Sequence, residues 1–285
     1  MNNIIINRLK DKIFKAWGII ATFIGIILLA VFIGDIFKDG IQRLNLDFLS
    51  SLPSRFSEKA GIKPAMMGSI WIMGFTAIIS FPLGVAAGIY LEEYARKNKF
   101  SSFLEMNISN LAGVPSIIYG LLGVQIFVRA LQFGNSILAG AFTLSLLILP
   151  IIIVATREAI KAVPNSIREG SYGMGATKWQ TIWYQVLPAS LGGILTGVIL
   201  ALSRAVGEAA PLIAVGALAY VPFVPSSPMD EFTVLPIQIF NWTSRPQHGF
   251  IINAAAAILV LLAITLIMNG IAVYLRNKWQ KKLSG

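Results

Sequence analysis

An arginine and a glutamate four residues apart, Arg204 and Glu208, sit inside the otherwise apolar stretch ALSRAVGEAAPL, Ala201 to Leu212. A guanidinium offers a planar fork of donors that matches the oxygens of a tetrahedral anion. A carboxylate beside it repels that anion and competes for the fork. The chemistry open to such a pair is weak, reversible oxyanion binding along a path; the plainer alternative is a buried ion pair that fixes helix register. Bond-breaking constellations are missing: there is no cysteine, and the single histidine, His248, falls in a polar outer loop. An intramembrane enzyme is therefore disfavoured.

The elements that must position the pair follow from composition. The 285 residues are 56% hydrophobic and only 13% charged, which marks an integral membrane protein. Apolar runs near or above the roughly 20 residues needed for a helical crossing recur along the chain. Six spans are expected: Ala16 to Gly34, Pro64 to Tyr90, Asn107 to Val128, Ile137 to Thr156, Ser190 to Ala219 and Phe250 to Leu275. The fold class is all-α, because backbone groups in lipid find no water partners and the runs are too long for barrel strands. Pro82, Pro115 and Pro211 are expected to kink their helices, and the recurrent glycines to let helices approach closely. Arg204 and Glu208 lie near mid-membrane, where each costs ~2.5 to 3.5 kcal/mol on an isolated helix, so an interior or wet cavity is expected for them.

With the N-terminus inside, the inner segments hold 15 Lys and Arg residues and the outer segments 7, so both termini are expected in the cytoplasm. The net charge of +10 is spread over these short segments and forms no basic module, which argues against nucleic acid as a partner. The six tryptophans are read as an interfacial belt, and Arg157 with Glu158 as an anchor at the inner end of the fourth span.

The inner segment 157–189 is too polar to cross and too apolar to be a solvated loop. Asn165 or Ser166 can cap a short helix there, Glu169 can occupy its first turn, and Gly175 can close it. A second helix is expected from near Thr177 to Pro188. Such a hairpin either docks on a soluble partner or lies on lipid.

This segment resembles the inner loop of the permease subunits of bacterial ABC importers, written E-A-A, three residues, G, nine residues, I-x-L-P. Glu169, Gly175, Leu187 and Pro188 stand at those spacings, while Gly170, Ser171 and Gln185 depart from the pattern. The segments LAGVPSIIYGLLGVQIFV (111–128), SRAVGEAAPLI (203–213) and FTVLPIQIFNWTSRPQHGF (232–250) are similar to the PstA-type permeases of the phosphate-specific importer. The likeness runs from about Pro64 to the C-terminus. It implies a type I ABC importer permease fold over 64–285, preceded by an N-terminal span and outer loop at 1–63. It implies a coupling loop at 157–189, shaped by Glu169, Gly175, Ala176, Leu187 and Pro188, that fits a dimeric ATP-binding subunit. It further implies a homologous PstC-type second permease, an extracytoplasmic phosphate-binding protein, and residence in the bacterial inner membrane. No cofactor is expected on the chain itself. ATP is expected on the partner, since no GxxxxGK[ST] loop occurs here. Another oxyanion, such as sulfate, molybdate or phosphonate, is the neighbouring alternative. An ion-coupled secondary transporter is a more distant one, with Glu208 as its sole intramembrane carboxylate.

Overall fold

Backbone polar groups that cannot reach water must pair within their own segment, and helices alone meet that demand among the described residues. The computed structural model describes residues 2–96, 98–217 and 220–284. In chain order the helices are α1 (Asn2–Gly40), α2 (Leu46–Ser50), α3 (Lys63–Tyr94), α4 (Lys99–Leu111), α5 (Ser116–Ala130), α6 (Ile137–Lys161), α7 (Asn165–Gly173), α8 (Lys178–Val206), α9 (Ala210–Val215), α10 (Leu235–Thr243) and α11 (His248–Ser284). Five of them, α1, α3, α6, α8 and α11, are long and apolar enough to cross a membrane. The expected third span is a broken pair, α4 and α5, bent by 103°. Pro115 explains the break: it stands at the N-cap of α5 in an extended conformation, where its missing N–H costs nothing. The Tyr119 hydroxyl on α5 donates to the Leu111 carbonyl at 2.8 Å, giving a partner to an acceptor freed at the end of α4.

The fifth span also departs from expectation. Pro188 does not stop a helix, and α8 runs without interruption from Lys178 to Val206. A π-helical turn at Ile182–Val186 ends one residue before the proline and absorbs a ring that cannot donate to the turn before it. The helix then ends at Val206, thirteen positions short of the expected Ala219, which itself lies outside the described residues; Gly207 caps it, and the chain resumes as α9 with Pro211 in its first turn. Pro211 thus starts a helix where a kink was expected.

α6 is the central helix, with two-thirds of its most apolar window buried, whereas none of the corresponding window of α1 is. Leu144, Ile148 and Ile152 fill the core around it. Small residues set how closely its neighbours approach. A Cβ on Gly84 or Gly88 of α3 would meet Ile152 or Thr156, and a Cβ on Gly193 of α8 would lie 2.7 Å from that of Ala159. The packing role expected of these glycines is what the structure gives them. The first amides of α6 are capped from outside: Ile137 N–H donates to the Asp230 carbonyl at 3.1 Å and Leu138 N–H to that of Pro228 at 2.9 Å.

The loop between α1 and α3 is folded around Arg43, whose guanidinium donates to Asn253 Oδ1 (3.1 Å) and to the carbonyls of Ser57, Glu58 and Ala60. Phe48 packs on Trp242, which is 1% exposed. Trp242 is therefore a core residue and not part of an interfacial belt; Trp17, Trp179 and Trp183 are exposed.

Candidate functional site

The last turn of α8 brings Arg204 to the point where the helix opens. Gly207 N–H turns back to the Arg204 carbonyl at 3.3 Å, and Glu208 N–H to the Ala205 carbonyl at 3.2 Å. Glu208 accordingly sits in the break, one helical turn beyond Arg204 in sequence but no longer on the helix. The two still meet, with Arg204 Nε 3.5 Å from Glu208 Oε1. The Arg204 side chain is 44% exposed and that of Glu208 18%. The guanidinium is thus open on one side. Its terminal nitrogens have no hydrogen-bond partner among the described residues, which leaves the forked edge free. A cation at the C-terminal end of a helix also stands where the backbone dipole favours it. The neighbouring Ser203 hydroxyl, 2.6 Å from Asn269 Oδ1 and 2.7 Å from the Ile199 carbonyl, ties this turn to α11. On the other side, α9 packs closely on α5: a Cβ on Gly120 would lie 2.8 Å from Pro211 Cα. The break is therefore held between fixed walls. Its irregular backbone at membrane depth is tolerable only beside protein or water.

The inner segment forms the two helices expected, with changed boundaries. Pro164, and neither Asn165 nor Ser166, stands at the N-cap of α7, so Asn165 is already helical and Glu169 falls beyond the first turn. Gly175 adopts φ +86°, a conformation that favours glycine, and its N–H donates to the Tyr172 carbonyl at 2.9 Å. Thr177 and Gln180 then form a capping box that starts α8. Glu169 and Gly175 are exposed, while Ala176, Leu187 and Pro188 are half-buried. The five motif residues consequently divide between a surface knob and its base. Met174, 89% exposed, and the stacked Trp179 and Trp183 rings, 5.4 Å apart, make the knob apolar.

What holds the knob was not read from the sequence. Arg168 of α7 pairs with Glu93 of α3 at 2.8 Å and donates to the carbonyls of Val163 (2.7 Å) and Ile160 (3.1 Å). Arg157 of α6 bridges Glu92 of α3 (3.5 Å) and Glu105 of α4 (3.0 Å). The signal available was the adjacent Glu92 and Glu93 at the end of an apolar run, two carboxylates that need two cations. Arg157 is an anchor, as expected, but through interhelical ion pairs; Glu158 is exposed and takes no part in them.

Residues 80–281 match the model of the binding-protein-dependent transport system inner membrane component. The chain belongs to this family. It is a subunit of the permease part of ABC importers and a multi-pass protein of the bacterial inner membrane. It is 32% identical to the probable ABC transporter permease protein YqgI of Bacillus subtilis, over all of this chain and 99% of that one. It is equally 32% identical to the phosphate transport system permease protein PstA of Haemophilus influenzae, over 91% of this chain and 92% of that one. A solved bacterial alginate ABC transporter, in complex with an alginate pentasaccharide-bound periplasmic protein, has a chain that shares the fold of this permease. The two superpose with a TM-score of 0.65 at 15% identity, covering 96% of this chain and 99% of that one.

Proposed function

We propose that this permease moves inorganic phosphate into the cytoplasm by alternating access, with Arg204 and Glu208 lining the path. The observation that carries the reading is the half-open guanidinium at the helix break, engaged through Nε alone. A phosphate oxygen pair fits the free edge of such a fork. Glu208 holds the other side of the guanidinium and repels the anion, which keeps residence short enough for release. A sealed register-fixing pair would leave neither atom exposed. The similarity to a PstA protein supports phosphate over sulfate, molybdate or phosphonate.

In this reading the knob formed by α7 and the start of α8 docks on a dimeric ATP-binding subunit, which carries the ATP and its hydrolysis. A PstC-type permease faces the Arg204 turn and completes the path, and an extracytoplasmic binding protein delivers phosphate. Both termini lie in the cytoplasm, in line with the excess of basic residues in the inner segments.

The test is reconstitution of the importer in liposomes with ATP inside and uptake measured over phosphate, sulfate, molybdate and phosphonate. Phosphate is expected to be preferred, and Arg204→Lys, which keeps charge but loses the fork, to lower phosphate uptake by about tenfold or more. Unchanged uptake in that variant would refute the geometric role.

A further inference from the structure

The end of the bundle opposite the knob carries a second set of anion-type donors. Pro53, Ser54, Arg55 and Phe56 of the α1–α3 loop, with Tyr220 and Arg245, line a concavity of about 360 Å³. Its charged members are two guanidiniums, and no carboxylate lines it. Among the described residues neither arginine is in an ion pair. Each lies over an aromatic face instead, Arg55 4.8 Å from the Phe56 ring centre and Arg245 4.4 Å from that of Phe250. Stacking of this kind fixes a guanidinium plane while leaving its N–H edge free. The hydroxyls of Ser54 and Tyr220 bring the same hydrogen-bonding sense to the cavity.

The loop that follows Phe56 is braced before any ligand arrives. Arg43 gathers the carbonyls of Ser57, Glu58 and Ala60, Asn253 Nδ2 donates to the Ser57 carbonyl at 2.8 Å, and Gly249 leaves so little room that a Cβ would meet the Ser57 side chain. An adjoining concavity of about 450 Å³ shares Arg55 and Phe56 and adds Lys59, Glu58 and Gln247, the last just before α11. Positive charge outnumbers negative there as well.

We propose that Arg55, Arg245, Ser54 and Tyr220 form a second oxyanion site, a waiting position for a tetrahedral phosphate group outside the membrane-spanning path. The proposal rests on the reading of the chain as a phosphate permease, and it differs from the Arg204 site in lacking a competing carboxylate. Phosphate carried free in water and phosphate on a lipid headgroup would satisfy the same donors.

The experiment is equilibrium binding of radiolabelled inorganic phosphate to the full-length protein in nanodiscs. Four forms are compared: wild type, Arg55→Gln with Arg245→Gln, Ser54→Ala, and Arg204→Lys. Phosphate is expected to bind at least tenfold more weakly to the double variant than to wild type and several-fold more weakly to Ser54→Ala, while Arg204→Lys is expected to keep the component of binding that the double variant loses. Undiminished binding to the double variant, or no binding to wild type, overturns the site. Binding lost only in Arg204→Lys overturns it too, while leaving the transport reading intact; a normal site beside unchanged uptake by Arg204→Lys would instead strike the Arg204 role. Discs of phosphatidylcholine alone and discs with added phosphatidylglycerol separate the sources. Competition by the anionic lipid assigns the donors to headgroups, and equal binding in both assigns them to the free ion.

Discussion

At the scale of single residues, two carboxylates on the same chain do opposite work. Glu208 faces one guanidinium across a helix break and is partly open, so its removal frees the fork. Glu208→Gln is expected to leave Arg204 unopposed, lowering the phosphate concentration for half-maximal uptake and slowing turnover, both read from uptake kinetics in liposomes. Asp230 is structural. Its carboxylate accepts from the backbone N–H groups of Ser226 (2.8 Å) and Ser227 (2.9 Å) and from the Ser226 hydroxyl (3.2 Å). These bonds hold its pKa below the usual carboxylate value, the backbone donor from Ser226 contributing most. A depressed folded pKa means that the stabilisation is present above the unfolded pKa and is lost as pH falls through the folded one. The loop 226–230 should therefore loosen only in acid. Asp230→Ala is expected to bring that loosening to neutral pH, seen as faster hydrogen exchange at the amides of 226 and 227, and of Ile137 and Leu138, which the loop caps.

At the scale of elements, the sequence made legible much of what local rules govern. Long apolar runs had to be helices, a second inner helix had to start near Thr177, and a glycine had to stand at the turn where φ reaches +86°. What stayed hidden was set by partners distant in the chain. An arginine at the end of a span reads as a solvent anchor until Glu92 and Glu105 are brought to it, and a tryptophan between polar residues reads as interfacial until Phe48 covers it. Pro188 misled because a proline's effect depends on whether the preceding turn widens. The pair Arg168 and Glu93, 15% and 8% exposed, illustrates what such hidden contacts are worth. Breaking a buried pair by removing one partner typically costs about 3 to 5 kcal/mol. Glu93→Gln is expected to lower thermal stability and to loosen α7, so that less phosphate is carried per ATP hydrolysed; both are measurable on the reconstituted importer. If coupling is unchanged while stability falls, Glu93 only braces the fold.

At the scale of the whole molecule, the two ends of the bundle differ in character. One end displays an apolar, aromatic knob braced by ion pairs; the other displays guanidiniums stacked on phenylalanines. A transporter driven from one side and supplied from the other needs that asymmetry. The assignment of ends to compartments rests on the basic-residue bias, and the absence of cysteine makes it simple to check, because any introduced thiol is the only one. Met174, 89% exposed at the tip of the knob, and Lys59, exposed in the α1–α3 loop, mark the two ends. In intact cells a membrane-impermeant maleimide is expected to label Lys59→Cys and to spare Met174→Cys, and permeabilisation should make both reactive. The reverse pattern would invert the bundle, placing the knob where no ATP-binding subunit can reach it and the stacked guanidiniums in the cytoplasm, and the transport direction argued from this geometry would fail with it.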